Sequence, residues 1–233
     1  MPIKSLLENP IWSALTTTRS NLSVGGELAR CFPPAVSPLA GLRDNSPECH
    51  QALADLLPSE AVAVLFLDKA PETFPTGLTQ FRRLDIFQMV WSGTLPATEE
   101  RDQTIQQLGP ADVPEMVALT ALTNPGPFGE RTHEFGTYLG IRENGKLAAM
   151  AGERTRMPGF TEVSAVCTHP DFRGRGYAAR LITEVMRYIL ERDEMPFLHV
   201  AAENVSAIRV YESLGFKKRI TLEVPVVRKD AAS

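Results

Sequence analysis

The feature that most constrains this chain is a glycine-rich turn between a strand and a helix. The segment VCTHPDFRGRGYAAR, residues 166–180, has the pattern of a strand end, a tight turn with two glycines and two arginines, and a first helical turn. Small residues let a bulky anion approach the backbone, and a helix start points free N–H groups and the positive end of its dipole at that anion. The pattern therefore predicts a site for a phosphate-bearing ligand at Arg173–Ala179.

Composition and charge exclude several classes of function. The net charge of −4 and the shortness of the densest basic cluster, Lys217–Arg219, argue against a nucleic-acid partner. No apolar stretch reaches the length of a membrane span, so we expect no membrane partner. Three widely spaced cysteines, Cys31, Cys49 and Cys167, fit neither a disulfide framework nor a metal site, and no metal is implied. Together with an N-terminus that lacks a signal-peptide pattern, they predict a cytoplasmic protein.

The two halves of the chain differ in regularity, which predicts two domains. Residues 1–102 are rich in proline and loops, with short helices and strand candidates at Ala61–Leu67 and Leu84–Trp91. Residues 103–233 are more regular. We place the boundary in the polar stretch Ser92–Arg101 and expect a smaller N-terminal α/β domain to accompany the more regular C-terminal domain.

The second half alternates strands and helices. Its clearest element is a helix over Arg175–Arg192, whose apolar residues recur at helical spacing as one buried stripe. The turn Glu143-Asn144-Gly145 predicts a β-hairpin. The other predicted elements, in chain order, are a strand at Thr104–Leu108, a helix over 111–122, strands at Phe160–Thr168 and Phe197–Ala201, a helix after Asn204, and closing strands over Phe216–Val227.

Two motifs lie in register in this half. The run RGRGYA, residues 173–178, follows a strand that ends in THPD, and the run NVSAIRVYESLGF, residues 204–216, places a tyrosine inside a helix that ends at Gly-Phe. Over roughly residues 103–220 the two motifs and the order of elements resemble the GNAT superfamily of acyl-CoA-dependent N-acyltransferases. The two-part layout is similar to glycine N-acyltransferase-like members, whose front half is a degenerate companion domain. The resemblance implies an α/β fold (α+β by some schemes) with a mixed, mostly antiparallel sheet that splays at the CoA-binding strand and helices on both faces.

The resemblance also implies acetyl-CoA as the co-substrate. The turn would hold the pyrophosphate of coenzyme A, and the backbone of the preceding strand would pair with the pantetheine arm. The contact residues implied are Val166, Cys167, Thr168, Arg173, Gly174, Arg175, Gly176, Tyr177, Ala178, Ala179 and Asn204. The alternative for the turn is a strand-to-helix connection whose glycines serve backbone geometry only, and Asn204 is equally suited to cap its helix.

Three residues are candidates for catalysis. By resemblance, Tyr211 donates a proton to the departing thiolate, although its place on the apolar face of a helix also fits core packing. Glu162 matches a general-base position of some family members, which requires a raised pKa or action through water; the alternative is an exposed glutamate paired with an arginine. His199 lies where other members place a catalytic glutamate, and the alternative is a partly buried histidine bonded to backbone.

Alternation along Phe160–Thr168 assigns faces to its side chains. It places Val166 on the same face as Glu162, and Cys167 on the opposite face. We expect Cys167 to be a buried, unreactive thiol rather than a nucleophile.

These residues predict an N-acetyltransferase that moves an acetyl group from acetyl-CoA to a primary amine by direct attack in a ternary complex. The acceptor is a small-molecule or peptide amine, and the loop Thr123–Glu134 is the segment expected to fit it. One alternative is a non-catalytic acyl-CoA-binding regulatory module. The other is a dinucleotide-dependent oxidoreductase, because Gly174, Gly176 and Ala179 also match the dinucleotide fingerprint, but that fold places its turn after the first strand. The oligomeric state stays open, a homodimer included.

Overall fold

The computed structural model describes residues 6–94 and 101–231 of the chain. In the N-terminal half the elements are, in chain order, α1 (Pro10–Thr16), β1 (Val24–Gly25), β2 (Ala29–Cys31), β3 (Leu39–Leu42), α2 (Pro47–Leu56), β4 (Val62–Leu65) and β5 (Leu78–Trp91). In the C-terminal half they are β6 (Ile105–Leu108), α3 (Val113–Thr123), β7 (Tyr138–Glu143), β8 (Lys146–Met157), β9 (Phe160–Thr168), α4 (Tyr177–Leu190), β10 (Met195–Ala201), α5 (Val205–Ser213) and β11 (Phe216–Lys229).

All of these strands belong to one sheet, in the order β1-β2-β3-β4-β11-β5-β10-β9-β8-β7-β6. Two neighbouring pairs are parallel, β3 with β4 and β9 with β10, and the others are antiparallel. The expected mixed, mostly antiparallel α/β sheet is therefore confirmed. It is not the doubly wound parallel sheet that a dinucleotide-binding fold requires.

Strand β5 joins the two halves of the chain. It lies between β10 and β11 and pairs antiparallel with both, for example Val90 with Phe197 and Ile86 with Leu222. The predicted boundary stretch, Ser92–Arg101, falls largely outside the described residues. Both halves contribute strands to one sheet. That residues 1–102 and 103–233 are separate domains stays a prediction.

One face of the C-terminal half of the sheet is covered by α4, and we call it the α4 face. Of the stripe expected on this helix, Leu181, Ile182, Val185, Met186 and Ile189 are fully buried against β7, β8 and β9, whereas Ala178 and Leu190, at its two ends, are half-buried. Burying side chains of this size contributes roughly 1.5–3 kcal/mol each. This packing sets the position of the helix start, and so of the glycine-rich turn before it.

The opposite face is concave and is filled by the N-terminal half. Helix α1 contacts both β3 and β8, which lie six strand spacings apart, about 29 Å in a flat sheet and more than the roughly 10–12 Å width of a helix. The sheet must therefore curl around α1. The approach is close, because a Cβ on Gly41 of β3 would lie 2.6 Å from the backbone nitrogen of Trp12 in α1. The rings of Phe32 and Phe135 meet at 4.9 Å across the same concave face.

The N-terminal half contains more strand than its sequence predicted. Residues 1–58 were expected to be loops and short helices, yet three short strands lie there, β1, β2 and β3. Two to four residues between turns are too few for alternation to reveal a strand. At the other end of the chain, the closing strands predicted over 216–227 are one long strand, β11.

Candidate active site

Strands β9 and β10 separate along their length and leave a gap in the sheet. They pair in parallel at Met195 with Phe160, Pro196 with Thr161 and Phe197 with Glu162, and the pairing stops there. Beyond that point β9 stays paired with β8 up to Thr168, and β10 stays paired with β5. The backbone edges that face each other across the gap are therefore free to bind an extended ligand, and the predicted splay is confirmed.

A β-bulge in β9 changes which face its side chains occupy. The register against β8 shifts between Ser164 and Cys167, and Ala165 has a φ of +52°. Val166 consequently packs on the α4 face with Val163, and Cys167 packs on the concave face. The prediction that Val166 lies on the same face as Glu162 is wrong, because a bulge adds one residue and reverses the alternation after it.

The thiol of Cys167 is buried, as expected. Burial raises its pKa to about 11, so the thiol stays protonated at neutral pH. This protonation state agrees with an unreactive side chain.

The glycine-rich turn has the backbone shape of an anion cradle. Gly174 and Gly176 have φ values of +77° and +76°, and a Cβ on either would meet no atom within 4 Å. The glycines therefore serve an unusual backbone conformation and leave open space in front of it. The backbone N–H groups of residues 174–179 donate to no acceptor in the part of the chain that the structure describes. Consecutive free N–H groups at a helix start are a binding site for a phosphate.

The arginines around the turn differ in how far they are already engaged. Arg173 is exposed and makes no ion pair within residues 6–94 and 101–231. Arg175 lies 3.8 Å from Glu143, a loose contact. Arg180, considered from the sequence as a further phosphate contact, donates to Asp102 at 2.7 Å instead. Arg173 is thus the side chain most available to an incoming anion.

Tyr211 lies on α5 with its ring in the core and its hydroxyl unpartnered. The residue is 8% exposed, and the ring packs against Phe216. Among the described residues nothing hydrogen-bonds its hydroxyl. Burial, with the nearby thiol of Cys167, raises the pKa of Tyr211 to about 12, so the phenol keeps its proton and can donate it. Both readings of the sequence, core packing and a free donor, are compatible with this geometry.

Asn204 caps α5. Its side-chain oxygen accepts from the backbone nitrogen of Ala207 at 3.2 Å and from the hydroxyl of Ser206 at 3.1 Å. The capping interpretation of Asn204 is confirmed, and its coenzyme contact stays a prediction.

Glu162 and His199 belong to a buried polar chain that crosses the closed end of the gap. Arg154 donates two hydrogen bonds to the Glu162 carboxylate, at 3.0 and 2.5 Å, and the Nδ1 atom of His199 lies 2.7 Å from the same carboxylate. The side-chain nitrogen of Gln88, on β5, lies 3.2 Å from the Nε2 atom of His199. Arg219, on β11, donates to the side-chain oxygen of Gln88 at 2.9 Å. We call these five residues the buried polar chain, although Arg219, at its outer end, is exposed.

The hydrogen bonds of this chain assign the protons of His199. Arginine can only donate, so the oxygen of Gln88 faces Arg219 and its NH₂ group faces His199. The Nε2 atom of His199 then accepts, and its Nδ1–H donates to Glu162. The imidazole is neutral and held in a single tautomer.

Burial and pairing act on the two titratable groups in different ways. Burial alone would raise the pKa of Glu162, but Arg154 and His199 hold that pKa well below its usual range. Burial lowers the pKa of His199, and the Glu162 charge opposes this only in part. The expectation of a raised pKa at Glu162 is therefore wrong, and so is the alternative of an exposed glutamate, although the pairing with an arginine is present. A role for either residue as the base stays a prediction.

Sequence reasoning missed Gln88 and Arg219. Gln88 is a fully buried polar residue in the apolar strand DIFQMVW. A lone glutamine among core residues was the available signal, since a buried amide needs hydrogen-bond partners.

The loop expected to fit the acceptor lies against the N-terminal half. Arg131 pairs with Glu134 at 2.6 Å, and its backbone N–H donates to the carbonyl of Ala35. The ring of Phe128 packs on Tyr138 at 5.7 Å.

The described residues show neither a metal-binding cluster nor a membrane-spanning helix. They contain no group of three or more His, Cys, Asp or Glu side chains that could hold a metal ion. No helix among them is long and apolar enough to cross a membrane, and the cytoplasmic location stays a prediction.

Acid is expected to weaken the fold through the buried polar chain. In the unfolded protein His199 and Glu162 have ordinary pKa values of 6.5 and 4.5, and folding lowers both. As the pH falls, the unfolded protein takes up these protons first, so the free energy of unfolding decreases below pH 6.5 and again below pH 4.5. Melting temperatures measured between pH 7 and 5.5 should therefore fall less steeply for His199→Gln than for the wild type.

The control for this experiment is His133→Gln, which removes a histidine outside the buried polar chain. Its slope should equal that of the wild type. A His199→Gln slope as steep as the other two would contradict the neutral, buried imidazole.

Comparisons with known proteins give the family. A model of the FR47-like protein family matches residues 138–224. A solved structure from Novosphingobium aromaticivorans, assigned to the GNAT family of acetyltransferases, is 40% identical over 97% of this chain and 99% of that chain, with a TM-score of 0.89. A GCN5-related N-acetyltransferase from Kribbella flavida shares the fold at 18% identity and a TM-score of 0.61, covering 100% of this chain and 97% of that one.

Two curated relatives match part of the chain. The N-alpha-acetyltransferase RimI of Mycobacterium tuberculosis is 33% identical over 84 residues, which are 35% of this chain and 52% of that protein. The ribosomal protein bS18-alanine N-acetyltransferase of Escherichia coli is 28% identical over 121 residues, 49% of this chain and 81% of that protein. The chain thus spans about half the length of the mycobacterial relative. Taken with the splayed sheet and the glycine-rich turn, these matches show that the chain belongs to the GNAT superfamily of N-acetyltransferases.

Proposed function

We propose that this protein transfers an acetyl group from acetyl-CoA to a primary amine. The observation that carries the proposal is the gap between β9 and β10, because it has free backbone edges and is flanked by an anion cradle and an unpartnered phenol. The two curated relatives support an amine acceptor, since both are named as acetyltransferases of an amino group.

In this proposal the chain binds acetyl-CoA through backbone groups. The free N–H groups of residues 174–179 and the side chain of Arg173 bind the pyrophosphate. The backbone of Val166–Thr168, which has no partner on its β10 side, pairs with the pantetheine arm and places one N–H at the thioester carbonyl. A donor fixed there stabilises the oxyanion of the tetrahedral intermediate.

The chemical step needs one proton given and one removed. The amine nitrogen attacks the thioester carbonyl carbon, a C–N bond forms, and the C–S bond breaks. Tyr211 gives its proton to the departing sulfur, a role suited to a phenol that burial keeps protonated. The acceptor ammonium first releases one proton to become the free amine. The attacking amine then loses a second proton, which replaces the one that Tyr211 gave. The balance is therefore one acetamide, one CoA thiol and one proton released for each ammonium consumed, and the proton that needs a base is the one lost by the attacking amine.

We assign removal of that proton to the pair of Glu162 and His199. The imidazole is neutral, so it can accept a proton, and the adjacent carboxylate stabilises the cation that results. Gln88 faces the accepting nitrogen with an NH₂ group and must turn aside when His199 takes the proton.

The anion cradle is tested by Gly176→Glu. The new side chain would occupy the open space in front of the turn and place a negative charge where the pyrophosphate binds. We expect acetyl-CoA affinity, measured by calorimetry, to fall at least about a hundredfold. The matched control is Gly77→Glu, because Gly77 also has a positive φ, +95°, but lies before β5. Equal affinities for the two variants would contradict the cradle.

The two proton roles are tested together by Tyr211→Phe and His199→Gln. Tyr211→Phe should lower kcat roughly a hundredfold while acetyl-CoA affinity changes less than about twofold. His199→Gln should lower kcat/KM by a similar factor and remove the acidic limb of its pH profile, which the wild type should show below pH 6.5. Full activity of Tyr211→Phe would remove its acid role, and an unchanged acidic limb in His199→Gln would remove the base assignment.

A further inference from the structure

An apolar cavity lies between the two halves of the chain. Its volume is about 410 Å³, and its lining comes from Cys31–Pro38 and Leu57–Val62 in the N-terminal half and from Pro127–Gly129 in the C-terminal half. No charged side chain lines it among the described residues. The size is within the range of small-molecule sites.

The walls of the cavity pack against both strands that border the gap. Phe128 lines the cavity and packs against the cluster that contains Cys167 of β9. On the other side, the lining residue Phe32 shares a core cluster with Phe66, whose ring lies 4.6 Å from that of His199 on β10. Packed aromatic side chains of the concave face thus lie between the cavity and strands β9 and β10, which carry Glu162 and His199.

We propose, resting on the acetyl transfer proposed above, that this cavity holds the body of the acceptor and that the acceptor is a primary amine on an apolar body. An acceptor with several positive charges needs carboxylates to replace its water, and the lining offers none. On the adjoining loop, Glu134 is already paired with Arg131, and Glu130 is an exposed residue that does not line the cavity. Polyamines and aminoglycosides are therefore poor fits.

Two sources share this chemistry, a free apolar amine and a peptide whose first residue is apolar. The cavity is partly open to solvent, so either can place its apolar group inside. The test therefore uses phenethylamine, a short peptide that begins with phenylalanine, and spermidine as the polycationic probe.

Cys31 reports occupation of the cavity without depending on turnover. It lines the cavity and is partly exposed, whereas Cys49 and Cys167 are buried. Iodoacetamide should therefore alkylate Cys31 first, as measured by mass spectrometry. The apolar acceptor should slow alkylation of Cys31, and spermidine should not.

The protein alkylated at Cys31 provides a kinetic test. Alkylation should raise the KM for the apolar amine about tenfold and leave acetyl-CoA affinity unchanged, because the cradle lies elsewhere. Cys31→Ser is the control, since the reagent should not change its KM. The peptide protecting Cys31 better than phenethylamine would assign the acceptor to a chain terminus, and the reverse would assign it to a free amine; both support the cavity.

The outcomes separate this inference from the proposed function. Acetylation of spermidine with no protection of Cys31 by either apolar probe would overturn the cavity assignment and leave acetyl transfer standing. Protection of Cys31 by an apolar probe with no amine acetylated would remove acetyl transfer and support the cavity as a binding site.

Discussion

The separation of β9 from β10 is the constraint on which the other features of the site depend. Each strand is held by its outer neighbour, β9 by β8 up to Thr168 and β10 by β5 up to Ala201, so neither can close on the other. The bulge at Ala165 bends β9 at the same level. The unpaired backbone of this gap would be costly if it stayed buried without a partner, and an extended ligand supplies that partner.

The N-terminal half contributes directly to this arrangement. It supplies β5, the strand that fixes β10, and with it Gln88, which sets the tautomer of His199. Its α1 and the segment at Phe32 fill the concave face, and that segment also forms part of the wall of the apolar cavity.

Local patterns in the sequence predicted the elements of the C-terminal half well. The strand Phe160–Thr168 and the helix around Leu181 have the predicted extent to within two residues, because alternation and helical spacing report directly on burial. The turn was also predictable from its glycines, since a backbone position with a positive φ favours glycine.

Long-range pairing could not be obtained in the same way. Nothing local places β5 between β10 and β11, and no alternation pattern marks the bulge that moved Val166 to the other face. The low pKa of Glu162 could not be predicted either, because it results from Arg154 and His199. These residues lie on neighbouring strands, and the sequence pattern does not pair them with Glu162. A charge partner across strands is a property of register, and register was known only from the structure.

The most direct test of the account is a crystal structure with acetyl-CoA bound. In that structure the diphosphate should accept hydrogen bonds from the backbone of residues 174–179, and the sulfur should lie within hydrogen-bond reach of the Tyr211 hydroxyl. A diphosphate bound elsewhere, or a sulfur remote from that phenol, would contradict the account.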